Sequence, residues 1–285
     1  MRFGFHLSIA GGLFKALDRG GALGCESGQI FSRNPRGWAG KPITPDEAGK
    51  FRETRARQAI FPLAIHLPYL PNPAAPAGEL RDKSVRLLGE EMERAAILGV
   101  ELVVFHPGHA NPDVDPADAM ARVAAAAAAA LARDPASPAV LLLETTSNQK
   151  GELGKTFAEL AFMLRAAEDQ GAPPSRLGVC LDTAHVWAAG YDLTPERLAA
   201  TLEEFDRLIG LRRLKLIHLN DSLSDRGGGR DRHAALGRGK IGAQALAGFI
   251  RHPALAHLPA VMETPRTSDE DDRANLALAK RWRDE

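Results

Sequence analysis

The chain has 285 residues, 45% hydrophobic and 25% charged, which is the balance of an ordinary folded protein and excludes a disordered or membrane-embedded chain. Lysine plus arginine equals aspartate plus glutamate at 36 each, so no global positive field draws the protein to a polyanion, and any nucleic-acid binding must come from a local patch. No run of about 18 apolar residues suggests a membrane span, the first residues lack the layout of a secretory leader, and Cys25 and Cys180 show no paired spacing, so a cytoplasmic protein with free thiols is expected.

Eight short runs rich in Val, Ile, Leu and Phe follow in chain order. They are FGFHLSI from Phe3, SGQIFSR from Ser27, LAIHLPY from Leu63, LVVFHPG from Leu102, VLLLETT from Val140, LGVCLDT from Leu177, LKLIHLND from Leu214 and LPAVMET from Leu258. Helical patterns lie between them. Residues 79–98 place Val85, Leu88, Met92 and Ala96 on one face, and residues 124–130 are an alanine run of high helix propensity. Thr194, followed by Pro195, reads as an N-cap opening a helix through Leu198, Leu202, Phe205 and Leu208. Strands alternating with helices imply a parallel sheet, and eight such units predict an α/β fold, a TIM (β/α)8 barrel formed as one domain over residues 1–285. The Pro- and Gly-rich stretches 68–78, 107–116 and 227–239 all follow strand ends, as loops of one face.

Seven of the nine histidines lie at or just after expected strand ends: His6, His66, His106, His109, His185, His218 and His233. Carboxylates join them at Glu144, Asp182, Asp221, Asp231 and Glu263. The carboxyl ends of all barrel strands converge on one rim, so these distant residues become neighbours there. A single such residue usually just satisfies hydrogen bonds or solvates a loop. The ensemble points to metal, because imidazoles and carboxylates are the usual ligands of zinc and similar ions, and gathering them without metal leaves unpaired charge. There are more ligands than one catalytic zinc needs, which favours two or three ions. In LDTAH, Asp182 and His185 reach the rim from one backbone segment, and in DRH, Asp231 and His233 flank Arg232.

With these residues in place, the chain resembles endonuclease IV, an abasic-site endonuclease family, over essentially its whole length. The matching segments are HLSIAGG at His6, FSRNPRGW at Phe31, HLPYLPN at His66, FHPG at Phe105, GVCLDTAH at Gly178, AAGYD at Ala188, HLNDS at His218, DRHAALGRGKIG at Asp231 and METP at Met262. The resemblance implies a trinuclear site, with zinc as the first expectation and manganese or iron as alternatives. In it Glu144 bridges two ions, His66 and His106 bind one, Asp182, His218 and Glu263 a second, and His185, Asp231 and His233 a third. It further implies hydrolysis 5′ to the abasic deoxyribose to leave a 3′-hydroxyl, with Glu263 and Glu144 orienting the water, possible activity at 3′ ends, and a monomer. Damaged double-stranded DNA is the expected partner, and no membrane.

Arg36, Tyr69 and Leu70 match family positions that wedge into the duplex, and an arginine, an aromatic and an apolar tip suit intercalation. Arg33, Lys41, Arg226, Arg230 and Arg232 fall in rim loops as candidate phosphate clamps. His6 and His109 are expected to contact ligands or phosphate rather than metal. After Glu144 the family usually has Asn-Thr-Ala-Gly-Gln-Gly, whereas Thr145, Thr146, Ser147, Asn148, Gln149 and Lys150 stand here. Two other readings compete: a sugar isomerase or epimerase on the same type of barrel, and a protein that holds abasic DNA without cutting it.

Overall fold

The computed structural model describes residues 1–266 and 268–285. Eight parallel strands close a barrel: β1 (Arg2–Leu7), β2 (Ser27–Ile30), β3 (Leu63–His66), β4 (Leu102–Phe105), β5 (Val140–Glu144), β6 (Leu177–Asp182), β7 (Leu214–His218) and β10 (Pro259–Met262), with β10 pairing back onto β1. All eight expected runs hold a strand, but the ladder stops before most of the runs do. Pro68 and Tyr69, and likewise His106 to Gly108, have already left for the loops.

Strand alternation sorts the side chains into two layers. One set, including Phe3, Leu63, Ile65, Val103, Leu141, Leu143 and Val179, belongs to the large core that also holds the helix residues. The other forms a small separate cluster of Ala64, Leu102, Val104, Leu142, Cys180, Leu216 and Val261, the filling of the barrel itself.

Between strands run α1 (Leu13–Leu23), α2 (Pro45–Gln58), α3 (Glu79–Leu98), α4 (Pro116–Arg133), α5 (Phe157–Asp169), α6 (Thr183–Ala189), α7 (Leu198–Leu208), α8 (Gly242–Arg251) and α9 (Asp269–Asp284). Local chemistry starts several of them. Thr44 closes a capping box with Glu47 ahead of Pro45, and Asp115 accepts from the Ala117 backbone ahead of Pro116. Helix α3 has the expected bounds, but its buried face centres on Leu87, Leu88, Glu91, Met92, Ala95 and Leu98, leaving Val85 and Ala96 half-buried at its margins. Regular helix α7 begins at Leu198, one turn later than expected, because residues 195–197 form a turn whose last amide donates to the Thr194 carbonyl. No helix of the described residues is long and apolar enough to cross a membrane.

The segment after β7 contains an unforeseen two-stranded hairpin, β8 (Asp221–Ser222) with β9 (His233–Ala234), paired antiparallel. Strands of two residues carry too little periodicity to be read from sequence.

Candidate metal centre

The barrel filling and the polar cluster are successive layers of the same strands. Two residues beyond Ala64, Val104, Leu142, Cys180, Leu216 and Val261 stand His66, His106, Glu144, Asp182, His218 and Glu263. The period of two that points an apolar side chain into the barrel therefore raises a ligating side chain at its mouth. Three more groups come from the connections. Asp182 caps α6 by accepting from the backbone of Ala184 and His185, which sets His185 in the first turn, and β9 carries His233 with Asp231 just before it.

Donor atoms of His66, His106 and Glu144 lie within 4.8 Å of one another, as do those of Asp182, His185 and His233, and those of Glu144, Asp182, His218 and Glu263. Glu144 and Asp182 each belong to two of these groups. Asp231 reaches the second group, its Oδ1 lying 3.4 Å from His185 Nε2 and 3.2 Å from His233 Nε2.

Four of the rings commit one nitrogen outward. His66 Nδ1 donates to the Leu67 carbonyl (2.6 Å), His185 Nδ1 to the Thr145 carbonyl (2.8 Å), His233 Nδ1 to the Glu263 carbonyl (3.2 Å) and His218 Nε2 to Gln29 Oε1 (2.9 Å). The other nitrogen of a neutral ring then presents a lone pair to a carboxylate oxygen, and only a proton or a cation can reconcile the two. His233 Nε2, buried and without a hydrogen bond, faces Asp182 Oδ2 at 3.6 Å as well as Asp231.

With protons in the cluster, the charges support one another. Burial alone would raise Glu144 and Glu263, yet His218 with His106, and His218 with His6, hold both carboxyls well below their usual range. Burial would lower the rings of His185, His218 and His233. The surrounding carboxylates, joined by Cys180 beside His218, override it, taking the first two well above the ordinary value and His233 to about 9. A donor set of imidazoles and carboxylates, inward-facing and without thiolate, fits divalent zinc, manganese or iron.

Tyr69 divides the mouth. On one side a cavity of about 370 Å³ is lined by His6, Phe31, Asp231, His233, Glu263 and Arg266; on the other, one of about 220 Å³ is lined by His66, His106, His109, Gln149 and Glu152. Tyr69 is 67% exposed, with its ring 5.8 Å from that of His66 and 6.0 Å from that of His106. Leu70 is 37% exposed beside it, and Arg36 is exposed on the loop after the neighbouring strand β2. Arg230 and Arg232 line a third concavity, of about 820 Å³, with Leu223 and Asp231. The loops after β3 and β4 are clasped together. Asn72 accepts from the His109 amide and donates to its carbonyl, and Gly108 lets the two loops meet, since a Cβ there would lie 2.2 Å from Asn72 Oδ1.

The expectations for Arg33 and Asp221 need correction, and the other rim candidates can be placed. Arg33 is only 4% exposed and pairs with Glu91 and Glu90, in a network where Arg94 grips Ser32, so it anchors the Arg36 loop and is not a phosphate clamp. Arg226 pairs with Asp192. Asp221, wholly buried, accepts from the amides of Gly239, Ile241 and Gly242 and pins the loop instead of joining the metal cluster. Lys41 is exposed. His109 is exposed at the rim, and His6 touches Glu263 (2.9 Å). The altered loop after Glu144 satisfies itself: Thr145 Oγ1 accepts from the Asp182 amide, and Ser147 Oγ and the Gln149 amide both donate to Glu152. Gln29 and Asn220 were not among the expected site residues. Asn220 donates to Asp182 Oδ2 (2.7 Å) and accepts from the Glu263 amide (2.8 Å), and its place in HLND beside His218 was the available signal.

The profile of the xylose isomerase-like TIM barrel family matches residues 17–284. A "Probable endonuclease 4" of Chloroflexus aurantiacus is 44% identical over 281 residues, covering 98% of this chain and 97% of that one. The crystal structure of endonuclease IV from Thermus thermophilus superposes with a TM-score of 0.86 at 40% identity, over 99% of this chain and 98% of that one. A D-tagatose 3-epimerase-like protein superposes at 0.76 with 19% identity, covering 99% and 97%, which is a likeness of fold alone.

Proposed function

The chain belongs to the endonuclease IV family, and from that premise we propose that it is a metal-dependent endonuclease that hydrolyses the phosphodiester 5′ to abasic sites in duplex DNA and leaves a 3′-hydroxyl. Three divalent ions, zinc first among them, would be held by His66, His106 and Glu144, by Glu144, Asp182, His218 and Glu263, and by His185, Asp231 and His233, with Asp182 near enough to share in the third set. When bound, such ions neutralise charge on the phosphate and the leaving oxygen and make water a stronger nucleophile at neutral pH.

The chain's own groups do the positioning. Glu144, with all its surroundings protein, fixes four rings at 2.9 to 3.5 Å, and Glu263, the more accessible of the two carboxylates, orients the attacking water. Tyr69 and Leu70, with Arg36 on the adjoining loop, fill the gap left by an extruded abasic nucleotide, whose missing base lowers the stacking cost of leaving the helix. Arg232 and Arg230 supply phosphate contacts, and His109 faces the backbone from the rim. Trimming of 3′ ends follows from the same phosphodiester chemistry.

The observation that carries this reading is the third ligand group, Asp182, His185 and His233, beside a cleft capped by an exposed aromatic. A sugar isomerase or epimerase site, built around one or two ions, has no use for either. Incubating the metal-replete protein with an abasic duplex, sizing the strands and extending the products with a polymerase tests it. Cleavage giving extendable 3′ ends is expected; tight binding with intact strands would leave a damage-binding protein instead.

A further inference from the structure

Gln29 lies in β2, wholly buried beside the cluster yet carrying neither charge nor lone-pair nitrogen for a metal. Among the described residues, its carboxamide makes hydrogen bonds only to cluster groups. Oε1 lies 2.9 Å from His218 Nε2, and Nε2 lies 2.8 Å from Glu263 Oε1 and 3.0 Å from His6 Nδ1. Chemistry orients this amide without ambiguity. An ionised Glu263 can only accept, so the NH2 edge must face it; the carbonyl then faces His218, whose Nε2 must be the protonated nitrogen. The lone pair of His218 is thereby consigned to Nδ1, which points at Glu144 Oε1 (2.9 Å) and toward Glu263 Oε2 (3.5 Å).

We infer that Gln29 is a positioning residue of the metal centre, one carboxamide setting both the tautomer of His218 and the rotamer of Glu263 so that their donor atoms converge on one ion. This rests on the reading of that cluster as a metal site. Without the amide, His218 is free to turn its N–H inward, and Glu263 Oε1 keeps only His6 Nδ1 (2.9 Å) of the two groups that hold it. The ion shared by these two residues is the one that loosens, while the set formed by His66 and His106 keeps its own supports through Leu67 and Glu144.

The test uses Gln29→Met, which fills the space without hydrogen bonding, and Gln29→Ala, which leaves room for water. Each is stripped of metal and titrated with zinc, and with cobalt followed by its visible absorption, alongside wild type; steady-state cleavage of an abasic duplex is measured in parallel. Both variants are expected to bind one of their ions about 10- to 100-fold more weakly, as loss of an outer partner of a metal ligand typically does. At limiting metal kcat should fall by a similar factor, with KM within about twofold, since the amide touches no DNA. Titrations superimposing on wild type overturn the proposal, and so does weakening by Met alone, which would mean displaced bulk. A wild-type protein that binds its ions but leaves abasic DNA intact would sink the nuclease reading while this role stood.

Discussion

Glu144 and Tyr69 serve the same cleft and are held in opposite ways. Glu144 is 0% exposed, with imidazole nitrogens of His66, His106 and His218 about its two oxygens at 2.9 to 3.1 Å; Tyr69 is 67% exposed and meets its neighbours only through ring edges and tilted faces. In the floor the imidazoles and carboxylates face one another at close range, with His6 Nε2 and His233 Nε2 buried and without a hydrogen bond. The rim is a set of aromatic, apolar and cationic groups, Tyr69, Leu70, Arg36 and Arg232 among them, that stand exposed to solvent. Loss of a floor residue should therefore damage chemistry or metal binding, and loss of a rim residue should damage recognition.

The largest effect is expected at the floor. Glu263→Gln should lower turnover about a thousandfold, a barrier increase of about 4 kcal/mol, while leaving most binding to abasic DNA. Single-turnover cleavage and equilibrium binding of the same variant separate the two, and parallel losses would erase the floor's distinct role. Elemental analysis of protein never exposed to chelator should find close to three divalent ions per chain.

Arg33 tests the boundary from the other side, because it sits in a rim loop but is buried like the floor. Arg33→Ala leaves Glu91 in the interior without its ion-pair partner, the Ser32 hydroxyl remaining, and should destabilise the fold by about 3 kcal/mol, read as a lower denaturation midpoint, with no change in the salt dependence of DNA binding. A stable variant with a flatter salt slope would restore it to the phosphate-binding set.

At the rim proper, Arg36→Ala and Tyr69→Ala should weaken binding to abasic duplexes about tenfold or more, and binding to intact duplex of the same sequence less than about threefold, because a wedge acts only where the helix opens. Equal losses on both duplexes would make them ordinary surface groups. Arg232→Ala should weaken both duplexes alike and reduce the slope of log affinity against log salt by about one, as expected for one lost phosphate contact.

A separate effect comes from pH on the metal-stripped floor. His233, raised to about 9 by Asp182 and Asp231 against the effect of burial, contributes stability that is fully present below about 6.5 and lost as pH rises through 9. The metal-free protein should melt at progressively lower temperature between those values, and the metal-loaded protein should not, since the ions hold the same nitrogens. A flat melting profile for the stripped protein would mean that the ring does not keep its proton.

Much of this architecture was legible residue by residue. The runs from Phe3 to Leu258 gave each strand its place because apolar enrichment and flanking turn residues are local properties of the chain. Twelve histidines and carboxylates stood out because each lies at a strand end or in a short motif, LDTAH or DRH, where barrel geometry permits one destination, and the resemblance to endonuclease IV narrowed them to nine expected ligands. That Glu144 and Asp182 would be acids near histidines was visible in the same way.

What only closure of the barrel decided is which group faces which. Arg33 and Arg232 look alike in sequence, yet one is buried against Glu91 on α3 and the other lies open beside Asp231. Asp221 and Asp231 are both acids of the same segment, yet the first is consumed by the backbone amides of Ser222, Gly239, Ile241 and Gly242. Gln29 reads as an ordinary polar residue of the short strand Ser27–Ile30 until His218 and Glu263, 189 and 234 residues away along the chain, arrive at its two ends. Periodicity reports the direction of a side chain relative to its own backbone; the identity of its partner depends on contacts between distant segments, and those exist only once the eight strands have closed.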